Sequence, residues 1–267
     1  MSSSFFILVF IIWKTSYNQI KIMSELKFPT EEVELPSKGL IYPKDNPLSS
    51  GKVEIKYMTA KEEDILTNQN YIKQGTVIDK LLKSLVVTKI NHDDLIVGDK
   101  NAILIASRIL GYGKDYDFTY NGEPVTVDLT ELETKYLDES TMLDGKNEFS
   151  FTLPHTNTLI TYKLLTGSDE KKIEAEIKGL KKIHKQASPD LSTRLKFMIT
   201  SVGGDTENAK IREFVDNYML ARDSRAFREH IRLTQPDIEM KFHFIGNSGE
   251  EEDATVPMTA GFLWPDA

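Results

Sequence analysis

The histidines and clustered acids are the side chains here with the chemistry to hold a metal or move a proton. The five histidines fall at 92, 155, 184, 230 and 243, and no two are closer than 13 residues. A helical zinc site needs two on one helix face, as HExxH or an i, i+4 pair, and neither occurs. Histidines this isolated are read as structural or exposed, and neither a metal nor a cofactor is expected. Adjacent acids such as Glu62-Glu63 and Asp93-Asp94 do acid–base work only where their surroundings split their pKa values, which spacing does not reveal. His92, Asp93 and Asp94 lie between two expected helices and read as solvated loop residues. The run Glu250, Glu251, Glu252 and Asp253 could grip a cation, but it reads first as a solvated hairpin turn.

Phosphate and nucleophile signatures are weaker still. Gly111-Tyr112-Gly113-Lys114 lacks the GxxxxGK[ST] spacing and follows a helix, so its glycines are expected to end that helix. Asn247-Ser248-Gly249 is one residue short of a nucleophile elbow. Cysteine is absent, which excludes disulfides, thiolate nucleophiles and Cys-ligated zinc or iron–sulfur clusters. Lysines 171, 172, 178, 181, 182 and 185 crowd one helix, opposed within that stretch by Glu174 and Glu176. Without a neighbouring aromatic platform for bases, this is read as a solvated outer face. No catalytic constellation emerges, and the chain is not expected to be an enzyme. A hydrolase built from scattered carboxylates is the alternative.

The elements that would position these groups follow from periodicity and punctuation. Residues 28–47 carry four prolines and read as an extended arm or edge strand with turns. Residues 53–58 alternate as a strand and run into Thr59, whose spacing to Glu62 is that of a capping box. A helix is predicted over 76–87, with Ile78, Leu81, Leu82 and Leu85 as its apolar stripe, and another over 99–110. Residues 117–129 alternate on both sides of Asn121-Gly122, the strongest hairpin signal in the chain. After a polar stretch, strands are predicted at 148–153 and 158–165, then a helix opened by Ser168. Ser188-Pro189 opens the next, with Leu191, Leu195, Met198 and Val202 as its stripe and Gly203-Gly204 as its end. Helices at 207–220 and 224–233 and a hairpin around Gly246 and Gly249 complete the pattern. The fold class expected is α+β: two small mixed units, 23–135 and 147–267, with helical clusters and β-hairpins. Strand–helix–strand alternation is missing, which speaks against a doubly wound sheet.

Composition sets the broad class. The chain has 267 residues, 40% hydrophobic and 28% charged, which suits a buried core. Lys and Arg total 33 against 41 Asp and Glu, a net charge of -8, which argues against a general nucleic-acid binder. Residues 5–13 (FFILVFIIW) are too short to span a bilayer. They could be the apolar part of a signal peptide, but a basic start and a clear cleavage site are missing. The more economical reading takes Met23 as the start, with residues 1–22 an upstream extension from a misplaced start codon; no membrane partner is expected.

The chain closes on Phe262, Leu263, Trp264 and Pro265, large apolar groups where chains usually fray. These four are the candidate partner-binding residues, because aromatic anchors are typical of binding hot spots. A tail docked on its own fold is the competing reading.

Five stretches together resemble a known family. They are LPSKGLIYP (35–43), YMTAKEEDILTN (57–68), VGDKNAILIASRILGYGKDY (97–116), VDLTEL (127–132) and the closing FLWPDA. In this order, across most of 33–267, they are similar to the baseplate hub subunits and hub-assembly proteins of T-even-like contractile-tailed phages. The resemblance implies a structural protein or chaperone of tail assembly. Its partners would be other baseplate hub or tail proteins, met in the host cytoplasm, and it could remain in the virion tail baseplate. Some relatives carry Cys pairs in the two hairpin regions, in the manner of zinc ribbons. Here those stretches read FTYNGEPVTV and FHFIGNSGEEEDATV, so hydrogen-bonded turns must hold the hairpins instead.

Overall fold

The computed structural model describes residues 29–143, 146–183, 189–246, 249, 251–258 and 260–264. The expected extension, 1–22, lies outside them. The proline-rich arm begins as strand β1 (Thr30–Glu34), antiparallel to β2 (Lys52–Lys56) with Val33 opposite Val53. Between them the chain turns back on itself and buries Leu35, Ile41, Tyr42 and Leu48. Gly39 (φ 75°) makes this possible, since a Cβ there would sit 2.6 Å from the backbone of Ser49 and Gly51.

Helix α1 (Ala60–Leu66) starts where the capping spacing placed it. The Glu62 carboxylate reaches back to accept the Thr59 backbone N–H (3.0 Å) and hydroxyl (2.6 Å). It also accepts from Lys56 Nζ (2.8 Å) and the Ser84 hydroxyl (2.5 Å) while fully buried. Burial alone would raise its pKa, but the bonds from Lys56, Ser84 and Thr59 win and bring it down to about 2. This contribution to stability is complete above the unfolded glutamate pKa and is lost as pH falls from there to about 2. Glu62→Gln is expected to cost on the order of 3 kcal/mol at neutral pH and to flatten the acid limb of a urea-midpoint profile between pH 5 and 2. An unchanged acid limb would show that Glu62 does not carry it.

Helix α2 (Gln69–Gln74) has no apolar period, hence no sequence signal beyond its ends. Asn68 caps its first donors, and Gly75 (φ 68°) ends it. Helix α3 (Val77–Leu85) buries Leu81, Leu82 and Leu85, whereas Ile78 is 36% exposed and falls off the predicted stripe. Helix α4 (Val97–Tyr112) is buried along much of its length. It leads into β3 (Asp115–Tyr120) and β4 (Glu123–Asp128), an antiparallel hairpin whose Asn121 and Gly122 both have positive φ, as a type I′ turn requires.

A short strand, β5 (Thr134–Lys135), follows. Strands β6 (Phe149–Thr152) and β7 (Leu159–Tyr162) pair as predicted. Helix α5 (Gly167–Ile183) opens one residue before Ser168, with Asp169 accepting the Thr166 N–H (3.2 Å). Helix α6 (Asp190–Met198) stops earlier than its predicted stripe. Residues 199–202 form strand β8 (Ile199–Val202) on the free side of β7, so Val202 belongs to a strand. The β-branched Ile199, Thr200 and Val202 suit a pleated sheet better than a helix.

The helix predicted over 207–220 is α7 (Asn208–Glu213) followed by a single π-helical turn (Phe214–Tyr218), where Asp216 pairs with Lys196 (2.7 Å). Helix α8 (Ala221–Thr234) precedes β9 (Asp237–Ile238), then β10 (Lys241–Ile245) and β11 (Glu251–Thr255) form the last hairpin, and α9 (Ala260–Leu263) closes the described chain. Glu251, Glu252 and Asp253 are strand residues, not the solvated turn expected; Glu250 lies outside the described residues.

Small separate sheets and intervening helices make the fold α+β. The division into units at 23–135 and 147–267 is not reflected in the packing. β5 pairs with β9 across it, and one hydrophobic core runs from Val33 to Leu263. The last hairpin lays Phe242 and Phe244 on the first, and α4 packs on Pro236 and bonds Asp237. A smaller cluster of Leu165, Ile173 and Ile177 secures α5.

Candidate functional site

The closing residues depend on the two hairpins beneath them. On β3 and β4, Tyr116 stands opposite Val127 and Phe118 opposite Val125, which gives the first hairpin one aromatic face. Period-two alternation does the same for Phe242 and Phe244 on β10. The faces meet edge to face: Phe118 on Phe242 (5.3 Å), Tyr120 on Phe242 (5.5 Å) and Tyr120 on Phe244 (5.0 Å). The Tyr116 hydroxyl donates to the Pro257 carbonyl (3.0 Å), and its ring meets Phe262 at 5.1 Å.

Phe262 is fully buried and Leu263 nearly so, both within the main core. Neither is offered to a partner in this state, a correction to the four-residue anchor: the apolar floor left by the two hairpins is filled by the chain's own end. Trp264 packs against that core and is half-buried, so it is the part of the anchor a partner could still reach. Pro265 lies outside the described residues.

A second site, not singled out in the sequence, sits where two of the quoted motifs, 35–43 and 97–116, meet. Asp99, in the first turn of α4, is fully buried. It accepts the Ser37 backbone N–H (3.0 Å), the Ser37 hydroxyl (2.7 Å) and the Tyr42 hydroxyl (2.6 Å). The Tyr42 oxygen in turn accepts the Ile96 N–H (3.2 Å). Burial raises the pKa of Asp99 against the opposing pull of these bonds, and burial beside Asp99 raises that of Tyr42. At the far end of α4, the buried Arg108 donates to the carbonyls of Gly113 (2.9 Å) and Asp115 (3.2 Å) and lies against the rings of Tyr112 and Tyr116. Each charged end of α4 thus fastens a neighbouring segment. The only sequence trace of Asp99 is an acid in a helix's first turn, a common and unspecific feature.

The other candidate groups are dispersed. Asp93 is ion-paired with Lys171 (2.6 Å), and Asp94 accepts from Asn46 (3.0 Å) and Asn91 (2.7 Å). Glu63 accepts the Tyr112 hydroxyl (3.2 Å) and is held apart from the buried Glu62. Lys114 pairs with Asp128 beyond Gly113, whose φ of 88° ends α4. His155 and Thr156 donate their backbone N–H groups to the buried Asp223 (2.8 and 3.1 Å), and these bonds, against the cost of burial, hold its pKa low. His230 stacks on Phe151 (4.4 Å) and bonds the Tyr162 hydroxyl (2.8 Å), with burial lowering its pKa. His92 is likewise depressed by burial, and His243 lies 3.3 Å from Asp253. Among the described residues no three His, Cys, Asp or Glu are grouped to hold a metal. On α5, Lys171, Lys172, Lys178, Lys181 and Lys182 are exposed. His184, Lys185, Asn247 and Ser248 lie outside the described residues. No helix among those described is long and apolar enough to cross a membrane.

Compared with family models, curated proteins and solved structures, this chain matches none.

Proposed function

We propose that this chain is a baseplate hub protein or hub-assembly factor of a contractile phage tail, working through protein–protein contacts. The observation that carries the reading is where the quoted motifs fall. Ser37, Gly39 and Tyr42 of the first motif join Asp99 of the third, and Glu62 of the second caps α1. Asp128 of the fourth pairs with Lys114, and Phe262 of the last docks on Tyr116. These residues, which carry the resemblance, therefore do structural work at the joints of the fold. Such a distribution suits a protein whose product is a shape. Acidic net charge also disfavours contact with packaged DNA and favours basic protein surfaces.

The test is to quantify the protein by mass spectrometry in purified virions and in infected-cell lysate. A fixed copy number per particle is expected for a hub component, and abundance in lysate with none in virions for a factor that leaves. Absence from virions and from every tail-assembly intermediate would overturn the proposal.

A further inference from the structure

The two hairpins leave a cleft between them that the core does not fill. It has two lobes of about 310 and 370 Å³ that share Glu131, Lys241, Phe242 and His243. Residues 125–128 of β4 and 241–243 of β10 line it consecutively. A strand face would contribute every second residue, so consecutive lining means that strand edges border the cleft. β4 is bonded only to β3, and β10 only to β11, so each has an outer edge with no neighbouring strand among those described. The half-buried Val125, Leu132 and Phe242 give the cleft an apolar floor. The rim is acidic. Glu131 and Glu133 are exposed and make no ion pair or side-chain hydrogen bond among the described residues, and Asp253 has only His243 beside it. Among the described lining residues the lysine is Lys241, already paired with Glu239 (2.7 Å), and Lys114 at the margin is taken by Asp128.

We propose that this cleft receives an extended basic segment of a partner protein, which adds as a strand along the β4 or β10 edge. Backbone groups would pair with the open edge, alternate apolar side chains would lie on Phe242 and Val125, and the intervening Lys or Arg would reach Glu131 and Glu133. Charge selects this occupant over a second copy of the chain, which would bring a net charge of -8 to an acidic rim. The inference deepens the protein-contact reading and names the chemistry of the partner. It is tested on the isolated full chain, so a failed virion experiment leaves it standing and its own failure leaves the hub reading standing.

The probe is a synthetic peptide of about ten residues alternating lysine with valine, long enough for one strand. Its counterpart carries glutamate for lysine. Titration by fluorescence anisotropy at low and high salt gives affinity, and amide hydrogen exchange gives location. The lysine peptide is expected to bind in a salt-sensitive way and to slow exchange at 125–128 or 241–243. The paired change Glu131→Lys with Glu133→Lys, at exposed positions, is expected to weaken it about tenfold with an unchanged circular dichroism spectrum. Equal binding of both peptides, indifference to the paired change, or protection confined elsewhere would overturn the proposal. A concentration-dependent dimer protecting the same amides, without peptide binding, would assign the cleft to a second copy and overturn it too.

Discussion

Asp99→Ala is expected to lower the stability of the folded chain by about 3–6 kcal/mol. Three donors converge on that carboxylate: the Ser37 N–H, the Ser37 hydroxyl and the Tyr42 hydroxyl. All are buried, so water cannot replace the missing acceptor without opening the joint, and each orphaned donor costs roughly 1–3 kcal/mol. Asp99→Asn keeps an oxygen for the Ser37 N–H and turns an amide toward two hydroxyls that can accept, so its cost should be about 1–2 kcal/mol. Urea unfolding at neutral pH checks the order through the midpoints, at constant slope. The pair also differs with pH. Burial raises the Asp99 pKa, so the folded state holds this proton to higher pH than the unfolded state does. Stability contributed by this group is therefore complete below the unfolded aspartate pKa and declines as pH rises through the folded one. The advantage of wild type over Asp99→Asn should widen in acid, the opposite trend to that of Glu62. Equal midpoints for Asp99→Ala and Asp99→Asn would mean that the three donors find other partners.

How much of this was legible beforehand depends on the range of the interaction. The Thr59–Glu62 cap, the Asn121-Gly122 turn and the Leu81, Leu82 and Leu85 stripe are local, and spacing placed them all. Strand β8 was hidden because Leu195, Met198 and Val202 fit a helical period, and its pairing with β7 is a contact across some 40 residues that no local pattern carries. The joining of the two expected units was hidden for the same reason. β5 and β9 are two residues each and lie about a hundred residues apart. Gly246 and Gly249 marked a last hairpin, yet nothing local says that its Phe242 and Phe244 rest on Phe118 and Tyr120. Of the closing residues, their apolar character was evident but not their destination. Phe262 is taken up by Tyr116 and the core, so this residue of the closing run serves its own fold.

The contact of α4 with the segment before β9 makes Gly98→Ala the second large effect, and its sign departs from the usual rule. Replacing a helix glycine by alanine ordinarily stabilises by roughly 0.5–1 kcal/mol, because the unfolded chain loses freedom. Gly179, in α5, has nothing within 4 Å of where its Cβ would be, and Gly179→Ala should show that gain. At Gly98 the new Cβ would lie 2.0 Å from the Pro236 oxygen and 2.8 Å from its carbonyl carbon. Both atoms are backbone, so no rotamer change relieves the overlap, and the start of α4 must move by more than about an ångström to reach an ordinary contact. That movement is resisted on both sides. Asp99, the next residue, is fixed by Ser37 and Tyr42, and Asn101 donates to Asp237 (2.9 Å). The expected loss is therefore about 3 kcal/mol or more, accompanied by faster amide exchange at β5 and β9. Because the strain falls on the Asp99 joint, Gly98→Ala and Asp99→Ala should not add: the double variant should be more stable than the sum of the single losses implies. Parallel stability gains for Gly98→Ala and Gly179→Ala would refute the close packing of α4 on Pro236, and with it the rigid joint that unites the two halves of the chain.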